Sequence, residues 1–557
     1  GNKSCEVPRR LLFYDTETLP HDVADKPESK DHKLRLGILT AGRYRGGKYR
    51  RNAERAFKDQ QVFWEFVESY VRPNETTWCF AHSQGFDSII VGLWERLEAG
   101  ELKWSYGRAP RYKGYKPRAD EGPFRSRHIL QNVPLAIHLE HANGGRIRFI
   151  DTLNYWRMPL YKLGKAMGLA KLTMPEFGAS DSEWWPYCQQ DVYIIEKAVA
   201  ELITFWLDND LGQFRQTAPG LSMSAYRHSH MEHPIDTHEE VEARKLERAA
   251  YFGGEIRCNF QGEVRHKVYG YDVTSLYPAV MRDNRFPCRL LGYDSERQLM
   301  RGKPADLVPK HGICEVELDT PETFPIRHQG EVYYAKGNLV TTLAGPELDY
   351  AWTNGYIKRW GQWASYLTRP IFESFVNYFW EWRLKAHAEG NQLWEGFIKL
   401  ILNSHYGKWA QLIPGWTMCP EVVPLSDWGA FYELNAVTKQ ATNYHTFAGM
   451  TWRRDDPKEH PAAFPAIAAF VTSYARQLMR GCRQAVGDRN WFYQHTDSLY
   501  VNEEGHQALL AADLVGDFQL GRLSLDGTST KTEFVNLNYY LFDDHWICGG
   551  CKVDTSE

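Results

Sequence analysis

The chain has 557 residues and a mass of 64.6 kDa, which is too long for one hydrophobic core and predicts two to four packing units. Hydrophobic residues make up 43% of the chain and charged residues 24%, as in ordinary globular proteins, and no apolar run is long enough to span a bilayer. We therefore expect neither a membrane protein nor a secreted one, but a protein of the cytoplasm of a bacterium or host cell. The net charge of −4 means that contacts with nucleic acid must come from local basic stretches.

Two short apolar runs near the N-terminus predict β-strands with carboxylates at their ends. Leu11–Tyr14 leads to Asp15 and Glu17, and Trp78–Ala81 leads to a turn that holds Asp87. Because side chains alternate along a strand, Asp15 and Glu17 share one face and could bind the same metal ions. Alone, such a D-x-E triplet is more often an ordinary surface strand.

Further along, residues 184–205 have helical spacing, with Tyr187 and Asp191 four apart on one face.

The basic stretch Lys33–Arg51 surrounds two glycines, which predicts a hairpin with a basic tip. A second stretch, Lys103–Arg118, combines cations with rings that could stack on bases. A solvated charged face is the alternative for either stretch. The first 215 residues thus predict a mixed α/β unit that resembles a nuclease.

The pattern changes after about residue 215. A predicted helix at residues 239–250 leads into Tyr251-Phe252-Gly253-Gly254, where two glycines permit close backbone approach. Residues 267–272 predict a strand that ends in an aspartate, and residues 371–410 predict a pair of helices. Residues 411–461 have no helical periodicity and predict an insertion.

Phosphodiester chemistry spreads negative charge over the attacking, leaving and nonbridging oxygens, and two divalent cations held by carboxylates roughly 4 Å apart can neutralise it. Carboxylate motifs in the second half of the chain point to this chemistry, and their order is informative. In chain order they are Asp272-Val273-Thr274-Ser275-Leu276-Tyr277-Pro278, Lys399-Leu400-Ile401-Leu402-Asn403-Ser404-His405-Tyr406-Gly407 and His495-Thr496-Asp497-Ser498.

These three segments resemble motifs A, B and C of family B DNA polymerases, and residues 399–407 match the family's K-x3-N-S-x-Y-G at every position. Asp15-Thr16-Glu17 resembles the first exonuclease motif of the family, Phe86-Asp87 the second and Tyr187-x3-Asp191 the third. The resemblance runs from Asp15 to about Tyr540. It implies an α/β and α+β multidomain fold, with an RNase H-like 3′→5′ exonuclease domain followed by a right-hand polymerase that has a palm, fingers and a reduced or incomplete thumb.

The resemblance also implies the site residues. Two Mg²⁺ ions in each site, with Mn²⁺ as an alternative, would be bound by Asp272, Asp497 and the Val273 carbonyl for synthesis, and by Asp15, Glu17, Asp87 and Asp191 for cleavage. Tyr187 would orient water, because its ordinary pKa of about 10 makes it a poor proton acceptor. The nucleotide-binding candidates are Ser275, Leu276, Tyr277, Arg383, Lys385, Lys399, Asn403 and Tyr406. The DNA-binding candidates are Ser83, Thr152, Leu153, Tyr251, Gly253, Gly254, Lys408, Thr496, Lys531 and Tyr540. Of these, Lys399 would neutralise the triphosphate and Tyr277 would exclude a 2′ hydroxyl.

Three positions depart from the family pattern. Motif C begins with His495 in place of an aspartate, which removes a negative charge beside the metal ions. Ser83 stands where the second exonuclease motif has an asparagine. The family's K-x-Y falls on Asn538-Tyr539-Tyr540 and so loses its lysine, for which Lys531 could compensate.

We expect the following domains: exonuclease, 1–215; palm with motif A, 216–284; first insertion, 285–365; fingers, 366–410; second insertion, 411–458; and palm with motif C and the start of a thumb, 459–557. This layout resembles the protein-primed polymerases of phages and linear plasmids. The expected partners are primer-template DNA and dNTPs, together with a terminal protein if priming is by protein. Priming by protein and priming by nucleic acid both remain open. A monomer is expected from the resemblance.

The expected function is template-directed DNA synthesis by two-metal nucleotidyl transfer with 3′→5′ proofreading, in the replication of a phage or mobile-element genome. The alternative is a DNA-end-binding 3′→5′ exonuclease whose polymerase site His495 has disabled. An enzyme that makes RNA is disfavoured by Tyr277, because a ribonucleotide needs more space beside the sugar.

Overall fold

The computed structural model describes residues 4–23, 26–98, 102–103, 124–130, 136–141, 143–422, 429–435, 441–447 and 450–548. Within these ranges no helix has the length and apolar character needed to cross a membrane. The basic stretch Lys103–Arg118 lies outside the described residues except for Lys103. The chain divides into two compact units. Unit 1 comprises Gly1–Ser229, Trp382–Ile401 and Ile413–Lys458, and unit 2 comprises His230–Glu381, Leu402–Leu412 and Glu459–Glu557.

The strands, in chain order, are β1 (Arg10–Val23), β2 (Lys26–Arg45), β3 (Lys48–Phe57), β4 (Thr76–Ala81), β5 (Leu102–Lys103), β6 (Phe124–Leu130), β7 (Ala136–His141), β8 (Arg146–Asp151), β9 (Ile256–Cys258), β10 (Gly262–Val264), β11 (Val268–Val273), β12 (Phe286–Asp294), β13 (Gly312–His328), β14 (Glu331–Ala344), β15 (Ile357–Arg369), β16 (Leu412–Val422), β17 (Gly429–Leu434), β18 (Ala441–Phe447), β19 (Met450–Glu459), β20 (Trp491–His495), β21 (Ser498–Val501), β22 (Leu523–Ser529), β23 (Thr532–Asn536), β24 (Tyr539–Phe542) and β25 (His545–Cys548).

The α-helices are α1 (Gln60–Tyr70), α2 (Gln84–Ile90), α3 (Leu93–Glu98), α4 (Leu160–Ala166), α5 (Asp181–Asp208), α6 (Ala218–Ala225), α7 (Val241–Ala249), α8 (Leu276–Asp283), α9 (Gly345–Thr353), α10 (Glu373–Ala388), α11 (Gln392–Ser404), α12 (Pro465–Val486) and α13 (Glu503–Ala511). Short 3₁₀ turns at Thr152–Asn154, Pro309–His311 and Tyr406–Ala410 and a π-turn at Tyr226–His230 complete the described elements.

Unit 1 contains an eight-stranded sheet in the order β3-β2-β1-β4-β8-β7-β6-β5. Strand β1 lies near the centre, antiparallel to β2 and parallel to β4, so that its residues Leu11–Tyr14 are fully buried. The predicted basic hairpin is confirmed: Arg45 pairs with Lys48 across Gly46 and Gly47, and both glycines have positive φ. Glycine adopts this left-handed backbone without strain.

Among the residues that the structure describes, the predicted insertion from residue 411 to residue 459 contains no helix, as expected. It nevertheless has regular structure. Strands β16 to β19 form a four-stranded sheet in the order β16-β19-β18-β17. All six residues of β17 are exposed, so this strand lacks the alternation of apolar and polar side chains that identifies a half-buried strand. Trp452 of β19 is fully buried and joins the core of unit 1.

Unit 2 contains three sheets, in the orders β22-β11-β21-β20-β9, β12-β15-β13-β14 and β10-β23-β24-β25. Helix α12 is held by a buried ion pair between Arg476 and Glu347, each with a side chain 2% exposed. Removing either partner would leave the other charge buried and unpaired, which is costly.

The predicted helices at residues 184–205, 239–250 and 371–410 are confirmed as α5, α7 and the α10–α11 pair. The six predicted domain ranges stay predictions. The first packing unit continues past residue 215 to Ser229, and parts of the predicted fingers and second insertion cluster with it.

Candidate active sites

Four predicted metal-binding carboxylates meet in unit 1, at β1. Ligand atoms of Asp15, Glu17 and Cys188 all lie within 4.8 Å of one another. The carboxylates of Asp87 and Asp191 are 3% and 2% exposed, and both act electrostatically on that of Asp15. Strands β1 and β4 and helices α2 and α5 therefore bring distant acidic residues into one cluster.

Backbone and hydroxyl donors fix the position of the Asp87 carboxylate. The backbone N–H of Thr16 donates to its Oδ1 across 3.1 Å, and the Thr16 hydroxyl donates to the same oxygen across 2.6 Å. These hydrogen bonds tie the second exonuclease motif to the first. They also favour the charged form of Asp87 and so oppose part of the effect of burial.

Burial and mutual repulsion raise the pKa values of this acidic cluster. Burial, with Asp87 and Asp191 as further causes, raises the pKa of Asp15 well above its usual range. Burial likewise raises the pKa of Glu17 to about 8 and that of Asp87 to about 7. The pKa of Asp191 is also raised by burial, although the Lys171 ammonium opposes the rise. Cations bound between these groups would stabilise their charged forms.

The donor set fits divalent cations. Carboxylates are the hard oxygen ligands that Mg²⁺ and Mn²⁺ prefer. Among the described residues, Oδ1 of Asp191 is buried and accepts no hydrogen bond, which is costly unless a cation or donor reaches it. The Cys188 thiol instead donates to the carbonyl of Asp15 across 3.5 Å, and burial raises its pKa well above the usual range. The protonated thiol positions Asp15 and leaves the carboxylates as the ligands.

Tyr187 and Asp191 share a cation, as sequence spacing alone could not show. Lys171 forms an ion pair with Asp191, and its Nζ lies 4.6 Å from the centre of the Tyr187 ring. Burial alone would lower the pKa of Lys171, but Asp191 outweighs burial and raises it. Burial also raises the pKa of Tyr187, so this hydroxyl remains a hydrogen-bonding group rather than a base at neutral pH.

A cleft of about 750 Å³ opens over the acidic cluster. Its lining residues are Asp15, Thr16, Glu17, His82, Ser83, Leu153, Arg157, Met158, Pro159, Leu160, Lys171, Tyr187 and Asp191. The DNA-binding candidates Ser83 and Leu153 thus line the cleft. Thr152 does not: it is fully buried, and its hydroxyl lies 2.8 Å from Nδ1 of His82.

Asp151, which sequence reasoning missed, anchors the backbone of two residues that line the cleft, Ser83 and Leu153. Its carboxylate accepts hydrogen bonds from the backbone N–H groups of Ser83, Gln84 and Leu153 at 3.1, 3.0 and 2.9 Å. Ser83 has a positive φ of 65°, a conformation that this anchoring supports. The signal in the sequence was its position directly before the candidates Thr152 and Leu153.

In unit 2, motifs A and C lie on neighbouring antiparallel strands. Asp272 of β11 pairs in register with Ser498 of β21. The backbone N–H of Val273 donates to the carbonyl of Asp497 across 2.9 Å. The two aspartates thus lie at the same end of the sheet β22-β11-β21-β20-β9, and with the Val273 carbonyl they offer the hard oxygen donors that divalent cations prefer. This arrangement is the one that the sequence motifs predicted.

Two predicted tyrosines, Tyr277 and Tyr406, lie near Asp497, and a third, Tyr251, lies near Tyr406. The rings of Tyr277 and Tyr406 have centroids 4.5 Å apart and planes inclined by 32°. Burial, with Asp497 contributing, raises the pKa of Tyr277 to about 12, and burial, with Tyr406 contributing, raises the pKa of Tyr251 to about 12. Their hydroxyls therefore stay protonated at neutral pH.

Among the described residues, Oδ1 of Asn403 is buried without a hydrogen-bond partner and is free to accept one.

The Tyr251–Gly254 segment contacts motif C directly. A Cβ atom added to Gly254 would lie 2.5 Å from a methyl group of Thr496, so only glycine allows this approach. The Arg476 guanidinium donates to the carbonyls of Phe252 and Gly253 at 3.0 and 2.8 Å. The predicted close approach at the paired glycines is thus confirmed for Gly254. Its neighbour Gly253 has open space at its Cβ position.

Other candidates have partners of their own. Arg383 is 5% exposed and pairs with Glu395 at 3.3 Å. Lys385 lies 4.8 Å from the Trp382 ring and lines a separate pocket of about 260 Å³. Lys399 is exposed and belongs to unit 1.

Near the C-terminus, Lys531 is paired with Asp544. Tyr540 is 5% exposed, with its hydroxyl 3.1 Å from that of Tyr500. Ser275 and Leu276 begin helix α8, and Lys408 donates to Gln411 across 2.8 Å. The binding roles of all these residues stay predictions.

Comparisons with known proteins agree with the motifs. The family described as DNA polymerase type B, organellar and viral, matches residues 180–415. The DNA-directed DNA polymerase of Enterobacteria phage PRD1 is 24% identical over 552 residues, which cover 97% of this chain and 84% of that protein. The DNA polymerase of Streptococcus phage Cp-1 is 23% identical over 289 residues, 49% of this chain and 45% of that protein.

Solved structures share the fold. The ternary complex of Phi29 DNA polymerase with primer-template DNA and incoming nucleotide superimposes with a TM-score of 0.68 at 16% identity, covering 98% of this chain and 93% of that one. Its binary complex with primer-template DNA gives a TM-score of 0.64 at 17% identity, covering 97% and 90%. The predicted fold class, an RNase H-like exonuclease domain followed by a right-hand polymerase, is thereby confirmed. The motifs, the family match over residues 180–415 and the shared fold together make the chain similar to the organellar and viral type B DNA polymerases.

Proposed function

We propose that the chain extends DNA primers on a DNA template by two-metal nucleotidyl transfer, and that it removes 3′-terminal nucleotides at a second site. The hydrogen bond between Val273 and Asp497 carries this proposal, because it sets the carboxylates of motifs A and C at one end of one sheet. Two carboxylates so arranged suit the transfer of a nucleotide to a 3′ hydroxyl.

At the polymerase site, Asp272, Asp497 and the Val273 carbonyl would hold two Mg²⁺, or Mn²⁺, which when bound neutralise charge on the triphosphate and the primer end. Residues of the chain itself select which kind of nucleotide binds. The Tyr277 ring, packed on Tyr406, closes the space beside the sugar and so favours deoxynucleotides.

At the exonuclease site, Asp15, Glu17, Asp87 and Asp191 would hold two further ions, which when bound supply charge neutralisation at the scissile phosphate. The Tyr187 hydroxyl orients the attacking water through a hydrogen bond. Across the cleft, the anchored backbone at Ser83 and the Leu153 side chain offer contacts for a frayed 3′ end.

The partners that we propose are primer-template DNA and dNTPs, which the fold shared with Phi29 DNA polymerase supports. A terminal protein as primer, a monomeric state, a role in replicating a phage or mobile element and a location in the cell interior are proposed on sequence resemblance alone.

A primer-extension assay tests this function. A labelled recessed primer on a DNA template should lengthen with Mg²⁺ and dNTPs and shorten with Mg²⁺ alone. The competing function, an exonuclease that binds DNA ends, is favoured by one observation: His495 replaces the first carboxylate of motif C. Shortening with and without dNTPs, over a range of Mg²⁺ and Mn²⁺ concentrations, would support that alternative and contradict ours.

A further inference from the structure

Two departures from the family pattern lie against each other in unit 2. Motif C has His495 in place of an aspartate, and the K-x-Y segment has Asn538 in place of a lysine. Nε2 of His495 donates a hydrogen bond to Oδ1 of Asn538 across 3.0 Å, and both side chains are half-buried. An imidazole and an amide thus stand, in contact, at the two positions where the family pattern has a carboxylate and an ammonium.

Asn538 suits its place in the backbone. Because Asn536 pairs with Tyr539, the turn between β23 and β24 contains only two residues, and Asn538 adopts a positive φ of 61° in it. Asparagine tolerates this conformation better than lysine does. The backbone N–H of Asn538 also donates to the Tyr493 hydroxyl across 2.8 Å. Two hydrogen bonds, one from the backbone and one to the side chain, therefore tie this turn to β20.

On the other side of the contact, His495 begins the tight turn that presents Asp497. Thr496 in this turn has a positive φ of 56°, and its N–H donates to the Glu255 carbonyl across 2.9 Å. The Ser498 hydroxyl donates to the His495 carbonyl across 3.1 Å. A side-chain anchor at His495 adds to these backbone contacts and limits how the turn can move.

We propose that His495 and Asn538 are a pair of positioning residues that hold the motif C turn, and with it Asp497, in the orientation needed for synthesis. This inference rests on the proposed polymerase function. It means that His495 is compensated at Asn538 and does not disable the polymerase site.

Substitutions in the turn between β23 and β24 separate the effect of the His495–Asn538 hydrogen bond from the effect of the turn's backbone conformation. Asn538→Gly keeps the positive φ but deletes the acceptor, whereas Asn538→Asp keeps an acceptor on a side chain that also tolerates this backbone. Asp543→Gly is the matched control, because Asp543 has a positive φ of 51° in the next turn, between β24 and β25. The readouts are the Mg²⁺ concentration for half-maximal extension, kcat for extension, and exonuclease activity of the same preparation.

We expect Asn538→Gly to raise the Mg²⁺ concentration needed for half-maximal extension and to lower kcat. The product of the two changes should be about 2- to 10-fold, the effect that loss of one hydrogen bond predicts. Exonuclease activity should be unchanged, and Asn538→Asp and Asp543→Gly should resemble the wild type. Combining Asn538→Gly with His495→Phe should do no more harm than the worse single change, because both remove the same contact.

The inference is overturned if Asn538→Gly extends primers with wild-type kcat and Mg²⁺ requirement, if Asp543→Gly is equally impaired, or if the defects of the two changes multiply. Each of these outcomes presupposes a wild-type chain that extends primers. A wild-type chain that only shortens them would instead overturn the proposed function.

Discussion

The backbone N–H of Val273 donates a hydrogen bond to the carbonyl of Asp497 across 2.9 Å. This contact joins motif A on β11 to motif C at the turn between β20 and β21. It lies beside the in-register pair Asp272 and Ser498, so the sheet itself sets the spacing of the Asp272 and Asp497 carboxylates. The ring of Tyr277 then follows within the first turn of helix α8.

Replacing Tyr277 by Val should weaken discrimination against ribonucleotides. The smaller side chain opens the space beside the sugar, so the ratio of kcat/KM for a dNTP to that for the matching rNTP should fall by about 10-fold or more. Steady-state incorporation of one nucleotide measures this ratio. Tyr406→Phe is the control, since it keeps the neighbouring ring and should leave the ratio unchanged. An unaltered ratio in Tyr277→Val would show that another group reads the sugar.

The stability of the metal-free protein should fall as the pH rises from about 5 to 8. Burial raises the pKa of Glu17 to about 8 and that of Asp87 to about 7, so the folded state keeps protons that the unfolded state releases in this range. Because Mg²⁺ binds the deprotonated carboxylates, the stabilisation that it adds should be larger near pH 8 than near pH 6.

Thermal unfolding with and without millimolar Mg²⁺ measures this effect. In the double variant Glu17→Gln and Asp87→Asn, both the pH dependence in this range and the gain from Mg²⁺ should shrink. A wild-type Mg²⁺ effect that is equal at both pH values would contradict the prediction.

Lys171→Met should lower exonuclease activity by about 10- to 100-fold, the usual effect of removing a residue that orients a metal ligand. The change removes the cation that pairs with the buried Asp191 and lies over the Tyr187 ring. Primer extension should be unaffected. Lys165→Met, at an exposed position in α4, is the control for loss of a positive charge. The assignment would be wrong if the two variants degraded primers equally well.

Arg383→Met should destabilise the protein, by an amount on the order of 1 to 3 kcal/mol, because it leaves Glu395 without its buried partner. Lys385→Met should have little effect on stability, since Lys385 is exposed. Chemical denaturation of the two variants compares them. Equal free energies of unfolding would mean that the Arg383–Glu395 ion pair does not stabilise the fold. Arg383 could then bind a triphosphate instead.

The sequence predicted contacts that follow from strand and helix periodicity. Asp15 and Glu17 share a face because strands alternate, and Tyr187 and Asp191 because they are four apart on a helix. Sequence patterns could not predict contacts between residues that have no periodic relation. Examples are the contacts of Lys171 with Asp191 and of His495 with Asn538. The burial of Arg383 was missed for the same reason, since its partner Glu395 lies on another helix.

The sheet at β16 to β19 was also missed as a regular element. An exposed strand such as β17 has no buried face and so no alternating pattern from which to recognise it. Its neighbour β19 contributes Trp452 to the core of unit 1, but a single buried tryptophan in a polar stretch carries no period.

Two carboxylate clusters with separate reactions can be distinguished by inactivating each in turn. On a recessed primer with Mg²⁺ and dNTPs, Asp272→Ala should abolish lengthening, a loss of about a thousandfold or more, while shortening continues. The double change Asp15→Ala and Glu17→Ala should abolish shortening and preserve lengthening. If Asp272→Ala still extends the primer at the wild-type rate, or if either variant loses both activities while remaining folded, the assignment of one cluster to each reaction is wrong.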